Sequence, residues 1–105
     1  MKKTNIFENI PTKLKEEIFE DIISKKEFKI QRIISKGHTT QKGEWYDQDR
    51  DEWVILLKGE AILEFEGSND VKLQEGDYIN IQANIRHRVS WTKLHVETIW
   101  LAIYY

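Results

Sequence analysis

The feature that most constrains the fold is a run of five apolar residues from Trp53 to Leu57, which lies between Glu52 and the glycine turn at Lys58-Gly59. The run has the length of a strand and is rich in residues that favour β-structure. Because successive side chains of a strand point to opposite faces, both faces of this strand are apolar. A strand of this kind is covered on both sides, so the pattern predicts a layered β-structure with Glu52 at the edge of a pocket.

A second segment, residues 76–91, predicts a glycine turn, an alternating strand, another turn and a last strand that begins at His87. In that last strand, His87, Val89 and Trp91 share one face, whereas two arginines and a serine share the other. An imidazole, a valine and an indole suit a partly apolar interior, and guanidinium groups suit water or a charged partner. The pattern therefore predicts that this histidine meets Glu52 inside a barrel.

These two segments resemble the two sequence motifs of the cupin superfamily. The spacing from Glu52 to Gly59 is similar to the end of the first motif, Gly-x5-His-x-His-x3/4-Glu-x6-Gly. The spacing from Gly76 to His87 is similar to the second motif, Gly-x5-Pro-x-Gly-x2-His-x3-Asn. The resemblance covers most of the chain, about residues 30–103. It implies an all-β fold, a single cupin-type β-sandwich barrel of the jelly-roll kind.

The resemblance also implies where a binding pocket lies and where this chain departs from the family. Cupins bind a metal through the paired histidines and the glutamate of the first motif and the histidine of the second. Tyr46 and Gln48 stand where the family has its paired histidines, and Trp91 stands where it has the final asparagine. By the resemblance, the residues that line a ligand-binding pocket are Tyr46, Gln48, Glu52, His87 and Trp91.

A weak divalent-metal site is expected in this pocket. An imidazole nitrogen, a carboxylate oxygen and an amide oxygen bind first-row divalent metals, with water in the open positions. Gln48, Glu52 and His87 therefore form the predicted metal site for Fe, Mn, Ni or Zn. His38 would supply a second imidazole if its loop folds over the mouth of the barrel. Because an amide is a weak ligand, we expect a lower affinity than that of a three-histidine site.

Three functions are compatible with these residues, two of them enzymatic. The first is a metal-dependent cupin enzyme, an oxygenase or isomerase of a small polar metabolite. The second is a metal-free enzyme similar to the sugar epimerases of the superfamily, with His87 as base, Glu52 orienting it and Tyr46 as acid. The third is a non-catalytic metabolite-binding module. A purely structural interpretation is also open, in which Glu52 pairs with Arg86, with Arg88 or with a backbone amide.

Length and charge limit the partners of the chain. Its 105 residues make one domain near the small end of the range, so a homodimer that hides further apolar surface is expected. Sixteen basic and 18 acidic residues leave a net charge of -2, which argues against nucleic acid because phosphate binding needs a basic field. The sequence also lacks a stretch that could span a bilayer and a secretory signal. We therefore expect a cytoplasmic protein that binds a small molecule and neither nucleic acid nor membrane.

The first 27 residues are predicted to lead into the barrel, which spans residues 28–105. Within this lead-in, apolar residues recur at helical spacing between Leu14 and Ile22. The pattern predicts a short amphipathic helix, although residues 20–23 also suit the start of a strand. Either this segment or the face of the barrel that carries Trp53 is expected to form the dimer interface.

Overall fold

The computed structural model describes all 105 residues and contains eight β-strands and no helix. The strands are β1 Ile18–Ser24, β2 Lys29–Ser35, β3 Glu52–Lys58, β4 Ala61–Phe65, β5 Val71–Leu73, β6 Tyr78–Ile81, β7 His87–Thr92 and β8 Thr98–Tyr104. They form two antiparallel sheets, one with the strand order β1-β2-β8-β3-β6 and one with the order β5-β4-β7. The all-β architecture predicted from the sequence is confirmed.

Strand β3 carries the apolar run and lies inside the larger sheet, between β8 and β6. Its residues alternate in burial as predicted. Glu52, Val54 and Leu56 are buried, whereas the three apolar residues on the opposite face are half-buried. Both faces are therefore covered, and the face that carries Glu52 is covered more completely.

The hydrophobic core lies between the two sheets. Its members come from four strands of the larger sheet and two of the smaller one, and burial of each large side chain stabilises the fold by about 1.5–3 kcal/mol. The core consists of nine buried residues, namely Ile33, Val54, Leu56, Ala61, Leu63, Leu73, Ile81, Trp100 and Ala102.

The turn after β3 requires glycine for a steric reason. Gly59 has a φ of +94°, a conformation that residues with a side chain rarely adopt. A Cβ atom at this position would lie 2.6 Å from Oγ1 and 2.9 Å from Cα of Thr98 on β8. The glycine that ends the apolar run therefore lets the chain pass close to β8 as it enters the smaller sheet at β4.

The prediction of a short N-terminal helix is wrong. Residues 18–24 form β1, which pairs antiparallel with β2 and has a bulge between Asp21 and Ile23. The apolar spacing extends over too few turns to decide the structure, because isoleucine and phenylalanine also suit a strand and β2 offers free backbone groups for pairing. The predicted lead-in of residues 1–27 thus contributes a strand to the larger sheet. The structure offers no helix that could cross a membrane.

Candidate functional site

A cavity of about 70 Å³ lies between the two sheets, where β3 and β7 both begin. This volume is several times the ~10–15 Å³ that one water molecule requires, so a small molecule can enter. The wall is mostly apolar with a few polar groups, which is typical of small-molecule sites. The residues that line the cavity are Glu17, Phe19, Ile33, Tyr46, Gln48, Glu52, Val54, Leu63, Ile81, His87, Val89, Trp100 and Tyr104.

The polar centre of the cavity is the pair formed by Glu52 and His87. Oε1 of Glu52 lies 3.6 Å from Nε2 of His87, and the two side chains are 9% and 6% exposed. The side-chain amide of Gln48 donates a hydrogen bond of 3.0 Å to the same carboxylate oxygen. Since β3 and β7 belong to different sheets, the pair spans the interior. The structure thus brings together the three residues that the sequence predicts as a metal site.

His87 is held through its backbone and through the far side of its ring. Nδ1 lies 2.9 Å from the carbonyl oxygen of Ile85, and because a carbonyl only accepts, Nδ1 carries a hydrogen. The backbones of His87 and Tyr46 exchange two hydrogen bonds of 2.7 and 3.0 Å. These contacts leave Nε2 as the ring atom that faces Glu52 and can gain or lose a proton.

The surroundings of His87 raise the pKa of its imidazole above the ordinary value of 6.5. Burial is the largest single influence, and it acts in the opposite direction because it disfavours the charged ring. The Glu52 carboxylate and the Ile85 carbonyl stabilise the imidazolium, and together they outweigh burial. At 3.6 Å the attraction to the carboxylate is chiefly electrostatic, because a good hydrogen bond is shorter.

Two phenols also line the cavity, and each has a raised pKa. Burial is the main cause of the raised pKa of Tyr46, and the charge of Glu17 raises it further. Burial likewise raises the pKa of Tyr104 well above its usual range. Both side chains therefore keep their protons at neutral pH. A protonated phenol can donate a hydrogen bond or a proton, but it is a poor metal ligand.

Trp91 does not line the cavity, although the sequence places it on the same face as His87. The pairing of β7 with β4 shifts register, because Leu63 pairs with Val89 while the preceding Ile62 pairs with Trp91. Two residues of β7 therefore lie opposite one residue of β4, which is the arrangement of a β-bulge. The bulge reverses the alternation, and Trp91 lies half-buried beside Ile62 instead.

His38 does not line the cavity either. Its Nδ1 accepts a hydrogen bond of 2.9 Å from the backbone N–H of Lys36. Its backbone carbonyl accepts a hydrogen bond of 2.8 Å from the hydroxyl of Thr92, at the end of β7. These bonds hold the loop beside the C-terminal end of β7, whereas His87 lies at the other end of that strand. His38 is therefore not placed to share a ligand with His87.

The structural interpretation in which Glu52 pairs with an arginine is wrong. Arg86 pairs with Glu66 at 2.7 Å and Arg88 pairs with Glu64 at 2.6 Å. Both arginines are thus engaged on the opposite side of β7, as the alternation of that strand predicts. Glu52 instead interacts with Gln48 and His87, and it faces the cavity.

Sequence reasoning did not place Glu17, Phe19 or Tyr104 in the site, yet all three line the cavity. Glu17 and Phe19 are two residues apart, the spacing that puts side chains on one face of an extended chain. That signal was present in the sequence but conflicts with the helical spacing of the same segment. Tyr104 pairs with Glu52 across β8 and β3, a neighbour relation that depends on long-range pairing.

The donor set does not fit a resident metal centre. No three side chains of the His, Cys, Asp or Glu type lie close enough together to hold one ion. Glu52 and His87 are the two strong donors at the polar centre, and Gln48 already directs its amide N–H to Glu52. Metal centres usually have three or four protein ligands. Metal binding through Gln48, Glu52 and His87 stays a prediction, with low expected affinity.

Comparison with known protein families gives a match to the cupin domain over residues 33–104, which is more than half of the chain. Comparison with curated protein sequences gives no match. The two conserved-type residues at the polar centre, Glu52 and His87, both fall inside the matched range.

Several solved structures are similar. The putative mannose-6-phosphate isomerase of Ralstonia eutropha JMP134 is 39% identical, with a TM-score of 0.94 over 99% of this chain and 97% of that one. A cupin superfamily protein of Desulfitobacterium hafniense DCB-2 is 17% identical, with a TM-score of 0.76 over 90% of this chain and 82% of that one. An RmlC-like cupin of Methanocaldococcus jannaschii, with a double-stranded β-helix fold, is 14% identical, with a TM-score of 0.70 over 90% and 84%. The last two show the fold alone.

Proposed function

Because this chain belongs to the cupin family, we propose that the cavity between its sheets binds a small molecule and that Glu52 and His87 move a proton on that molecule without a metal. The observation that carries the proposal is the pair itself. A carboxylate and an imidazole lie 3.6 Å apart, nearly buried, in the wall of a cavity. A titratable group with a shifted pKa beside a charged partner in a cleft is typical of proton-transfer sites.

The reaction class that suits this cavity is the isomerisation of a small hydroxy-carbonyl compound. The similar Ralstonia protein bears the name of an isomerase, which supports this class without identifying a substrate. Such a reaction needs a base at the carbon beside the carbonyl group and an acid at the carbonyl oxygen. The cavity offers one candidate for each role.

His87 is the proposed base, acting through Nε2. Since Nδ1–H is bonded to the Ile85 carbonyl, the second ring nitrogen is the one that accepts the proton. Glu52 then stabilises the imidazolium that forms. Gln48 is a positioning residue, because its amide holds the Glu52 oxygen that faces His87.

Tyr46 is the proposed acid. Its ring centroid lies 6.0 Å from that of His87, so the two groups can act on neighbouring atoms of one ligand. The phenol gives its proton to the carbonyl oxygen while His87 removes the proton from the adjacent carbon. Tyr46 then regains a proton from the neighbouring hydroxyl, and His87 returns its proton to the former carbonyl carbon. The isomer leaves with no net change in protons.

The test is hydrogen exchange at carbon. We would incubate the protein in heavy water with a panel of small hydroxy-carbonyl sugars and follow the loss of the C–H signal by NMR. We expect exchange with the wild type, and a rate at least ~100-fold slower in His87→Gln and Tyr46→Phe because each removes a general acid or base. His95→Asn is the matched control, since His95 lies in an exposed turn with a φ of +65° that asparagine tolerates.

Each result of this experiment decides between the alternatives. Exchange that persists in His87→Gln would contradict the role of His87. Binding without exchange in the wild type would favour the non-catalytic metabolite-binding module. Neither binding nor exchange across the panel would refute the proposed function.

A further inference from the structure

We propose that Glu17 makes the cavity select uncharged hydroxy-carbonyl ligands over phosphorylated or otherwise anionic ones. This inference rests on the proposed function, because it names the class of ligand that the same cavity takes. It also assigns a role to a residue that neither the family motifs nor the metal prediction includes.

The charges on the cavity wall are unevenly distributed. Two carboxylates, Glu17 and Glu52, line it together with one imidazole, and no lysine or arginine does. The imidazole of His87 already faces Glu52. Glu17 forms no hydrogen bond or ion pair within the structure, and no cation on the cavity wall faces it.

The partly buried position of Glu17 has two opposite effects on its charge. Glu17 is half-buried, and burial raises the pKa of its carboxyl group. The charge of His38 acts in the opposite direction but more weakly. The same carboxylate raises the pKa of Tyr46, which lines the same cavity. Charges near a low-dielectric wall interact more strongly than charges in water.

No lysine or arginine lines the cavity, and two arginines of the barrel are engaged elsewhere. Arg88 bonds to Glu64 and to the backbone carbonyl of Thr40. Arg32 bonds to Glu20 and to two backbone carbonyls of the N-terminal segment. Lys29 lies over the ring of Tyr104, 5.0 Å from its centroid, but does not line the cavity. None of these groups lines the cavity itself; Lys25, Lys29 and Arg50 line a neighbouring groove that shares Gln48 and Tyr104 with the cavity.

A phosphate group of a ligand in this cavity would therefore lose its hydration and meet the carboxylate of Glu17. Hydroxyl and carbonyl groups would instead find a carboxylate and a tyrosine hydroxyl as hydrogen-bond partners. The similar Ralstonia protein is named for a phosphorylated sugar. For this chain, the charge of the wall points to the unphosphorylated form.

The experiment compares binding of matched pairs, mannose with mannose 6-phosphate and two further sugars with their phosphates. Binding is measured at pH 8 and low ionic strength, with the ring signals of His87 in NMR as the reporter of the cavity. The variants are Glu17→Gln and Glu17→Lys. Glu16→Gln and Glu16→Lys are the matched controls, because Glu16 is the adjacent residue and is exposed. Thermal unfolding checks that every variant is folded.

We expect the wild type to bind the uncharged sugar at least ~10-fold more tightly than its phosphate, which corresponds to about 1.4 kcal/mol. Glu17→Gln should narrow this ratio, and Glu17→Lys should invert it, while both Glu16 variants keep the wild-type ratio. Tighter binding of the phosphate to the wild type, with His87 perturbed, would overturn the charge inference and leave the proposed function intact. Absence of binding by either form across the panel would overturn both.

Discussion

The two ends of strand β3 have the same backbone and the same inner face but opposite properties. At one end, Leu56 is fully buried in the core. At the other end, Glu52 lies against a cavity with His87 and Gln48. The closed end, at Leu56, contributes stability by burial of apolar surface. The open end, at Glu52, places a buried carboxylate beside a cavity. A single strand thus contributes to stability at one end and to the candidate site at the other.

The largest effect is expected from damage to the closed end. Leu56→Ala should lower the free energy of unfolding by about 2–5 kcal/mol, because it leaves a cavity in a packed region. Leu57→Ala, on the half-buried opposite face, is the control and should cost less. Chemical denaturation monitored by tryptophan fluorescence gives both values. Equal losses would mean that the two faces of β3 contribute alike, and the contrast between them would not hold.

Removal of the Glu52 charge at the open end should lower the pKa of His87, and this change should be larger than the effect on folding. In the wild type we expect His87 to titrate above 6.5, and in Glu52→Gln at a lower pH, because the carboxylate stabilises the imidazolium. NMR titration of the ring protons measures both midpoints. Glu66→Gln is the control, since Glu66 pairs with Arg86 on the other side of β7.

The same raised pKa predicts how stability depends on pH. A group whose pKa is raised by folding contributes stability that is complete below its unfolded pKa and is lost as the pH rises through the folded pKa. The wild type should therefore exceed Glu52→Gln in free energy of unfolding by more at pH 6 than at pH 8.5. Glu17 also has a raised pKa and contributes to the pH dependence in the same direction, but it is present in both proteins, so its contribution cancels to first order in the difference. If the difference in free energy of unfolding did not change with pH, the electrostatic interaction between Glu52 and His87 would be contradicted.

Metal binding at the open end is expected to be weak. Titration of Fe, Mn, Ni and Zn into chelated protein should give at most low-affinity binding, because the polar centre has two strong donors. Whatever binding occurs should disappear in His87→Ala. Tight stoichiometric binding that His87→Ala abolishes would instead support the metal-dependent enzyme. Binding that the variant leaves unchanged would exclude the predicted site.

The smallest effect is expected for the oligomeric state, through the surface of β1 beside the opening of the cavity. Strand β1 is an edge strand, and Phe19, Ile22 and Ile23 on it are exposed. Exposed apolar edges readily pair with another chain, so we expect a homodimer through β1. Ile22→Lys should shift the sedimentation mass towards that of the 12.6 kDa monomer, whereas Tyr78→Lys, near Trp53, should not. The reverse result would place the interface on the Trp53 face, and a wild-type monomer would exclude both.

Much of the fold was predictable because its signals are local. The apolar run of β3, the glycine at position 59 and the alternation that begins at His87 each depend on a few consecutive residues. The spacing of the two motifs then indicated that both segments belong to one barrel, and this predicted that Glu52 meets His87. The error at the N-terminus has the same origin, because a short apolar pattern fits both a helix and a strand until the pairing partner is known.

By itself, then, the sequence determined the all-β class, the strands on either side of Gly59 and the two residues of the polar centre. Only the tertiary structure decided that the N-terminal segment pairs with β2, that Glu17 reaches the cavity and that a bulge removes Trp91 from it. The tertiary structure also separated His38 from His87. The physical reason is that each of these outcomes depends on register and pairing between strands distant in the chain, which local propensity does not specify.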